Sequence, residues 1–250
     1  MKLTQYILTF IVLSFLCSSC KSKKNDDDTI IPARDLYQNA LLHMDSGKYE
    51  KAAEEFEKVF FQHPGDDITP QAEIMQAYAL YLDAKYEEAV DVLDTFIKLH
   101  PMNVDISYAY YLKALSYYMQ ISDVRLDQSR TTMAKESFEE VIKRYPGTRY
   151  AVDSALKIDL VNDHLAGKEM EIGRFYIKKN NPIAAIKRFQ EVIDHYQTTS
   201  HTSEALYRLV ESCMMLGLKE DAMKYAAVLG HNYPESSWYK HSYGLMTRAK

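Results

Sequence analysis

The side chains through which this chain could hold a metal or attack a substrate are eight histidines, three cysteines and thirty-five carboxylates. Metal capture needs ligands at short spacing on one face, as in HExxH, where two imidazoles sit four residues apart on a helix. His43, His63, His100, His164, His195, His201, His231 and His241 form no such pair. His195 and His201 come nearest, and a separation of six does not share a helical face. A nucleophilic thiol needs an accessible, electropositive setting. Cys213 instead lies among Leu209, Met214 and Leu216, which reads as a buried structural thiol. The sequence contains no GxGxxG or GxSxG, and Gly167-Lys168 lacks the rest of a phosphate loop. The pairs Glu54-Glu55, Glu87-Glu88 and Glu139-Glu140 fall in amphipathic stretches, where a solvated face is the plain reading. The expectation is no catalytic residue, no metal site and no cofactor.

The bulk of the chain points the same way. A hydrophobic share of 47% over 250 residues can bury a sizeable core. Only 8 Gly and 7 Pro are too few for the frequent turns of an all-β protein. A net charge of −5 argues against nucleic acid as a partner.

Lys2 precedes an apolar run from Tyr6 to Cys17, too short for a bilayer-spanning helix, which needs roughly 20 residues. A basic start, a short apolar middle and small residues before a cleavage point describe a secretory signal peptide over residues 1–19. Ser18-Ser19-Cys20 resembles the lipobox of bacterial lipoproteins, which makes Cys20 the expected site of acylation and of membrane attachment. An ordinary signal peptide that happens to hold two cysteines is the alternative. Residues 20–32 are polar, with Lys21, Lys23 and Lys24 followed by Asp26-Asp27-Asp28, and read as a flexible tether. In some bacteria such an acidic run accompanies export to the cell surface, so the face of the membrane stays open at this point.

Behind the tether the chain repeats. Five segments share an Ala, a packing residue four positions on, and a helix end eight positions further: Ala52/Phe56/Pro64, Ala89/Leu93/Pro101, Ala134/Phe138/Pro146, Ala185/Phe189/Gln197 and Ala222/Ala226/Pro234. A small or modest residue precedes them on the partner helix, at Ala40, Ala77, Ala114, Gly173 and Val210. This is the tetratricopeptide pattern of paired helices in units of about 34 residues. Small residues let the two helices approach, the large one fills the gap beyond, and Pro ends the second helix. The spacing widens on either side of position 146. Residues 121–130 read as a loop within repeat three, and residues 148–178, which lack Pro, as one long helix or two nearly continuous ones. The predicted fold is all-α, a solenoid of five helix–turn–helix repeats behind a lipoprotein signal peptide.

Helical phasing of the first helices puts Tyr37, Leu41 and Met44, then Ile74, Tyr78 and Tyr81, then Tyr108, Tyr111 and Tyr118 on one inner face. Tyr offers apolar area and a hydrogen bond with little side-chain entropy to lose, as a peptide groove requires. Core packing is the competing reading for part of this set, and the one expected for Tyr110 and Tyr117. Arg188, three residues beyond Ala185, falls at the edge of the buried stripe and within reach of solvent; an intrahelical pair with Glu191 is its plain alternative.

The stretches "FEEVIKRYPGTRYAVDSALKIDLVNDHLAGKEMEIGRFYIKK" from Phe138, "AAIKRFQEVIDHYQTTSHTSEALYRLVESCMMLGL" from Ala184 and "AAVLGHNYPESSWY" from Ala226 resemble the BamD family, lipoproteins of the outer-membrane β-barrel assembly machinery. His63-Pro64 and His100-Pro101 replace the Tyr-Pro often found there, and Gln197 replaces Pro; all three departures touch helix ends only. The resemblance implies a non-enzymatic, lipid-anchored scaffold at the outer membrane, facing the periplasm. It implies that repeats one to three, residues 33–147, take unfolded outer-membrane proteins in the tyrosine groove. Residues 148–250, the long helix with repeats four and five, would hold a BamA-like barrel, with Arg188 as an anchor, and other lipoproteins of the complex fit alongside. Another reading is a periplasmic repeat lipoprotein that coordinates cell-wall or division proteins. A surface glycan-binding lipoprotein is disfavoured because such chains are much longer.

Overall fold

The computed structural model describes residues 30–248, so the signal peptide, Cys20 and most of the tether lie outside the described residues. Eleven helices and no strands are present among them. They are α1 (Ala33–Asp45), α2 (Tyr49–Gln62), α3 (Thr69–Leu82), α4 (Tyr86–Leu99), α5 (Ile106–Tyr118), α6 (Ser129–Arg144), α7 (Arg149–Lys178), α8 (Pro182–His195), α9 (Thr202–Met215), α10 (Lys219–Asn232) and α11 (Ser237–Arg248). Each helix packs against its neighbours in sequence, and α1 with α3, α3 with α5 and α5 with α7 bring successive first helices side by side. The end of the stack is closed by α11, which lies on α9 and α10.

The repeat register holds through the core. Ala52, Ala89, Ala134, Ala185 and Ala222 are completely buried, as are Phe56, Leu93, Phe138 and Phe189. Opposite them Ala40, Ala77, Ala114 and Val210 are buried to the same degree. A fully buried Leu or Phe contributes about 1.5–3 kcal/mol over an exposed one, so one packing residue per repeat, flanked by small partners, accounts for much of each unit's cohesion. Ala226 is only half-buried, because the last repeat has α11 rather than another full unit beyond it.

Turn chemistry repeats with the same regularity. First helices end on a residue in the left-handed region, at Gly47 (φ 70°), Ala84 (φ 59°), Asn180 (φ 56°) and Gly217 (φ 75°). The next N–H then closes back onto a helical carbonyl: Lys48 to His43, Lys85 to Leu80, Asn181 to Tyr176 and Leu218 to Cys213, each at 2.9 Å. That six-to-one bond satisfies a helix-end carbonyl that would otherwise lack a partner. Second helices end at His63, His100, Tyr145, Tyr196 and Tyr233, whose N–H groups donate to the carbonyls four residues back.

The long helix is a single element. Thr148 caps it by accepting from the Ala151 N–H, and it runs unbroken from Arg149 to Lys178 past both glycines. Its first half packs beside α5 and α6, while its second half pairs with α8 as the first helix of repeat four. The loop within repeat three is fastened to its middle. His164 Nε2 lies 2.6 Å from the Ser122 carbonyl, and Lys168 donates to the Leu126 carbonyl at 2.9 Å. Cys213 is buried, with burial pushing its thiol above the ordinary range.

Candidate functional site

On the inner face of α3, α5 and the start of α7, tyrosine rings gather. Tyr108 and Tyr111 on α5 flank Tyr150 of α7 at centroid separations of 5.5 and 5.2 Å. Tyr81 of α3 meets Tyr86 at the start of α4, 5.6 Å away and edge-on. Offset and edge-to-face pairs of this kind contribute about 0.5–1.5 kcal/mol beyond the area they bury. Burial raises the Tyr108 hydroxyl far above its ordinary value, helped by the hydroxyls of Tyr78, Tyr150 and Tyr81, while Arg149 pulls the other way. Burial likewise raises Tyr111, whose hydroxyl donates to Asp153 at 2.5 Å. Both therefore stay protonated and able to donate at neutral pH.

Charge sits along the α7 edge of this surface. Arg149 donates to the Tyr150 hydroxyl at 2.8 Å and its guanidinium lies 4.8 Å from that ring. Lys157 places its ammonium 5.3 Å from the Tyr118 ring and 3.6 Å from Asp153. Beyond it, Val152, Leu156 and Leu160 are exposed. The surface thus combines open aromatic area, hydroxyl donors and one flank of paired charges. Such a surface can bind an extended, partly apolar chain; it activates no nucleophile.

The residues that share a helical phase fall in different surroundings. Tyr78, Tyr81, Tyr108 and Tyr111 do gather into one half-buried cluster. Ile74 does not line it: only 2% exposed, it packs with Leu93, Phe96 and Leu112 in the core. It shares the buried stripe of α3 with Ala77, three residues on, and that stripe faces the next two helices. Tyr118 packs edge-on to Phe138, 6.0 Å away. Tyr37 also stands edge-on, 5.2 Å from Phe56, and lines a separate polar cleft of about 670 Å³ with Arg34, Gln38, Asp66, Asp67 and Gln71. Leu41 is exposed and Met44 half-buried on the same helix. Tyr110 and Tyr117 are half-buried rather than fully enclosed; Tyr110 packs on Tyr145 at 5.4 Å, and Arg130 approaches Tyr117 to 5.9 Å.

Tyr86, Arg149, Tyr150, Asp153 and Lys157 were not among the expected groove residues. For the last three a signal existed, since the i, i+3, i+7 spacing shares a helical face. The sequence boundary at 147/148 cuts through this cluster, and Ala33–Lys250 forms one compact unit.

Arg188 has a partner inside the protein. Its Nη1 donates to Glu169 of α7 at 3.1 Å, with 43% of its side chain still exposed. The expected alternative, Glu191, instead lies 3.8 Å from His195. Further along, Arg174 bridges Glu171 and Glu204, and Arg208 bridges Glu204 and Glu211. The Arg208 guanidinium also lies within 5.5 Å of Tyr207 and Trp238, rings that stack at 5.3 Å. This network clasps α7, α9 and α11 together.

Paired helices stacked in register, unit on unit, define a protein of the tetratricopeptide-repeat class. A family model described as "YfiO: Outer membrane lipoprotein" matches residues 30–242, and the chain belongs to that family. It is 63% identical over 246 residues to "Outer membrane protein assembly factor BamD" of Rickettsia prowazekii (strain Madrid E), covering 98% of each chain. To the protein of the same name from Caulobacter vibrioides (strain ATCC 19089 / CIP 103742 / CB 15) it is 46% identical over 215 residues, covering 86% of this chain and 70% of that one. Among solved structures, "TPR2AB-domain:pHSP90-complex of yeast Sti1" is similar with a TM-score of 0.44 at 13% identity, over 87% of this chain and 83% of that one.

Proposed function

We propose that this protein is a non-enzymatic scaffold for assembling β-barrel proteins in the outer membrane. It receives unfolded barrel proteins on the tyrosine face of repeats one to three and holds a BamA-like barrel through the long helix and repeats four and five. Acyl chains on Cys20 tether it to the membrane on the periplasmic side. Two or more such chains anchor stably, because each buried methylene contributes about 0.8 kcal/mol.

The observation that carries the substrate half is the cluster of Tyr78, Tyr81, Tyr108, Tyr111 and Tyr150. Barrel strands alternate apolar and polar side chains, and a face with both ring area and protonated hydroxyls complements such a chain in its extended form. Titration with a labelled peptide that copies the last strand of an outer-membrane barrel and ends in Phe tests this. The Tyr78→Ala/Tyr81→Ala protein should bind it about tenfold or more weakly, a loss of roughly 1.4 kcal/mol, with an unchanged helical circular-dichroism signal. Equal affinity of variant and wild type would remove the groove.

A further inference from the structure

A second surface lies on the other side of α3. Helices α2 and α4, the second helices of repeats one and two, flank a continuous groove floored by α3. Its two parts, about 200 and about 300 Å³, share Glu57, Gln76, Asp91 and Val92. One end is apolar: Phe60 and Phe61 meet edge-on at 5.4 Å, and Phe61 is 70% exposed, facing Val92 and Thr95 across the cleft. The rest of its length is acidic, with Glu50, Glu54, Glu57, Glu88 and Asp91 along the walls. Lys85 alone opposes them, and it is already held by Glu50 at 2.6 Å and Asp83 at 3.5 Å.

Gln76 is nine-tenths buried in the floor shared by both parts, placing a side-chain amide between the two walls. Charge complementarity then names the occupant. Carboxylates spaced along one wall at 50, 54 and 57 match basic side chains at helical spacing on a facing segment. From Glu50 to Phe61 the groove runs about 16 Å, or three helical turns.

We propose that the groove between α2 and α4 docks a basic amphipathic segment of a partner protein. Lysines or arginines of that segment lie against the two acidic walls, one bulky apolar side chain enters beside Phe60 and Phe61, and a polar group pairs with Gln76. The site is distinct from the tyrosine face, from which it is separated by the width of α3.

The test uses the intact lipidated protein in detergent and a fluorescein-labelled helical peptide of about 12 residues with lysines at i, i+4 and i+7 and a terminal Phe. Anisotropy should show saturable binding that weakens about tenfold or more between ~50 and ~500 mM salt, as contacts between exposed charges are screened. Glu57→Lys/Asp91→Lys should bind at least about tenfold more weakly, Phe61→Ala several-fold more weakly, and Tyr78→Ala/Tyr81→Ala as wild type. If the charge reversal does not fold, Glu57→Gln/Asp91→Asn carries the test, with an expected loss of about threefold. Unsaturable binding, salt-independent binding, or wild-type affinity in the folded charge variants overturns the proposal. So does loss of the peptide in the tyrosine variant, which would assign it to the other face. A dimer seen by sedimentation that dissociates on Phe61→Ala would make the occupant a second copy and also overturn it.

Discussion

Gly173 shows how much one absent methyl group decides. A Cβ placed there would lie 2.3 Å from Cε1 and 2.6 Å from Cζ of Phe189, so the residue sits where repeat four closes most tightly. Alanine would gain up to about 1 kcal/mol of helix propensity, but overpacking costs about 1–3 kcal/mol. Gly173→Ala should therefore lower the urea midpoint, and Phe189→Leu in the same chain should recover part of the loss; additive effects of the two would contradict the contact. Glu73 makes the opposite kind of demand. It is 3% exposed and meets His100 Nε2 at 2.7 Å. Burial raises its pKa above the ordinary carboxylate value, and His100 offsets this only in part. A raised folded-state pKa contributes stability that is complete below the unfolded value and is lost as pH rises through the folded one. Glu73→Gln should accordingly gain on the wild type as pH rises through that window towards neutrality. Chemical denaturation at stepped pH reads this directly, and parallel curves for the two proteins would exclude it.

At the scale of the element, the turns explain why five unequal repeats stack alike. Four of them use a left-handed residue followed by the same six-to-one bond, which sets the angle between paired helices whatever their side chains. Gly217 (φ 75°) has open space around a prospective Cβ, so Gly217→Ala is strained by backbone alone. It should cost about 1 kcal/mol, read as a lower urea midpoint with unchanged m-value. Its cause is thus separable from that at Gly173, where the neighbouring ring and not the backbone is decisive. Ala84 and Asn180 accept the same conformation without glycine, Asn by its own tolerance of the left-handed region.

The whole molecule turns on α7. Its first half completes the tyrosine face and its second half builds repeat four, so both proposed binding regions share one rigid element. Arg188 lies against that second half through Glu169, and the pair gives the anchor hypothesis a sharper test. As a partly exposed pair, its loss should cost no more than about 1 kcal/mol of stability. Arg188→Leu should release the BamA-like barrel in a pull-down, while Glu169→Gln, which keeps the guanidinium, should retain it. Equal behaviour of the two variants would reduce Arg188 to an internal contact.

What the sequence alone determined is everything that repeats locally. The Ala and Phe register and the helix ends at positions 64, 101, 146 and 234 follow from sterics and backbone chemistry within a few turns. Helical phase brought four tyrosines to one face because phase is a property of a single helix. Tertiary structure decided the rest. Packing of α3 against α4 and α5 put Ile74 in the core, the stacking of α7 on α5 brought Tyr150 and Asp153 into the cluster, and the pairing of α8 with α7 gave Arg188 its carboxylate on another helix. Those outcomes depend on how one helix lies across the next, and this is set by the packing of both helices together, which neither one's periodicity contains.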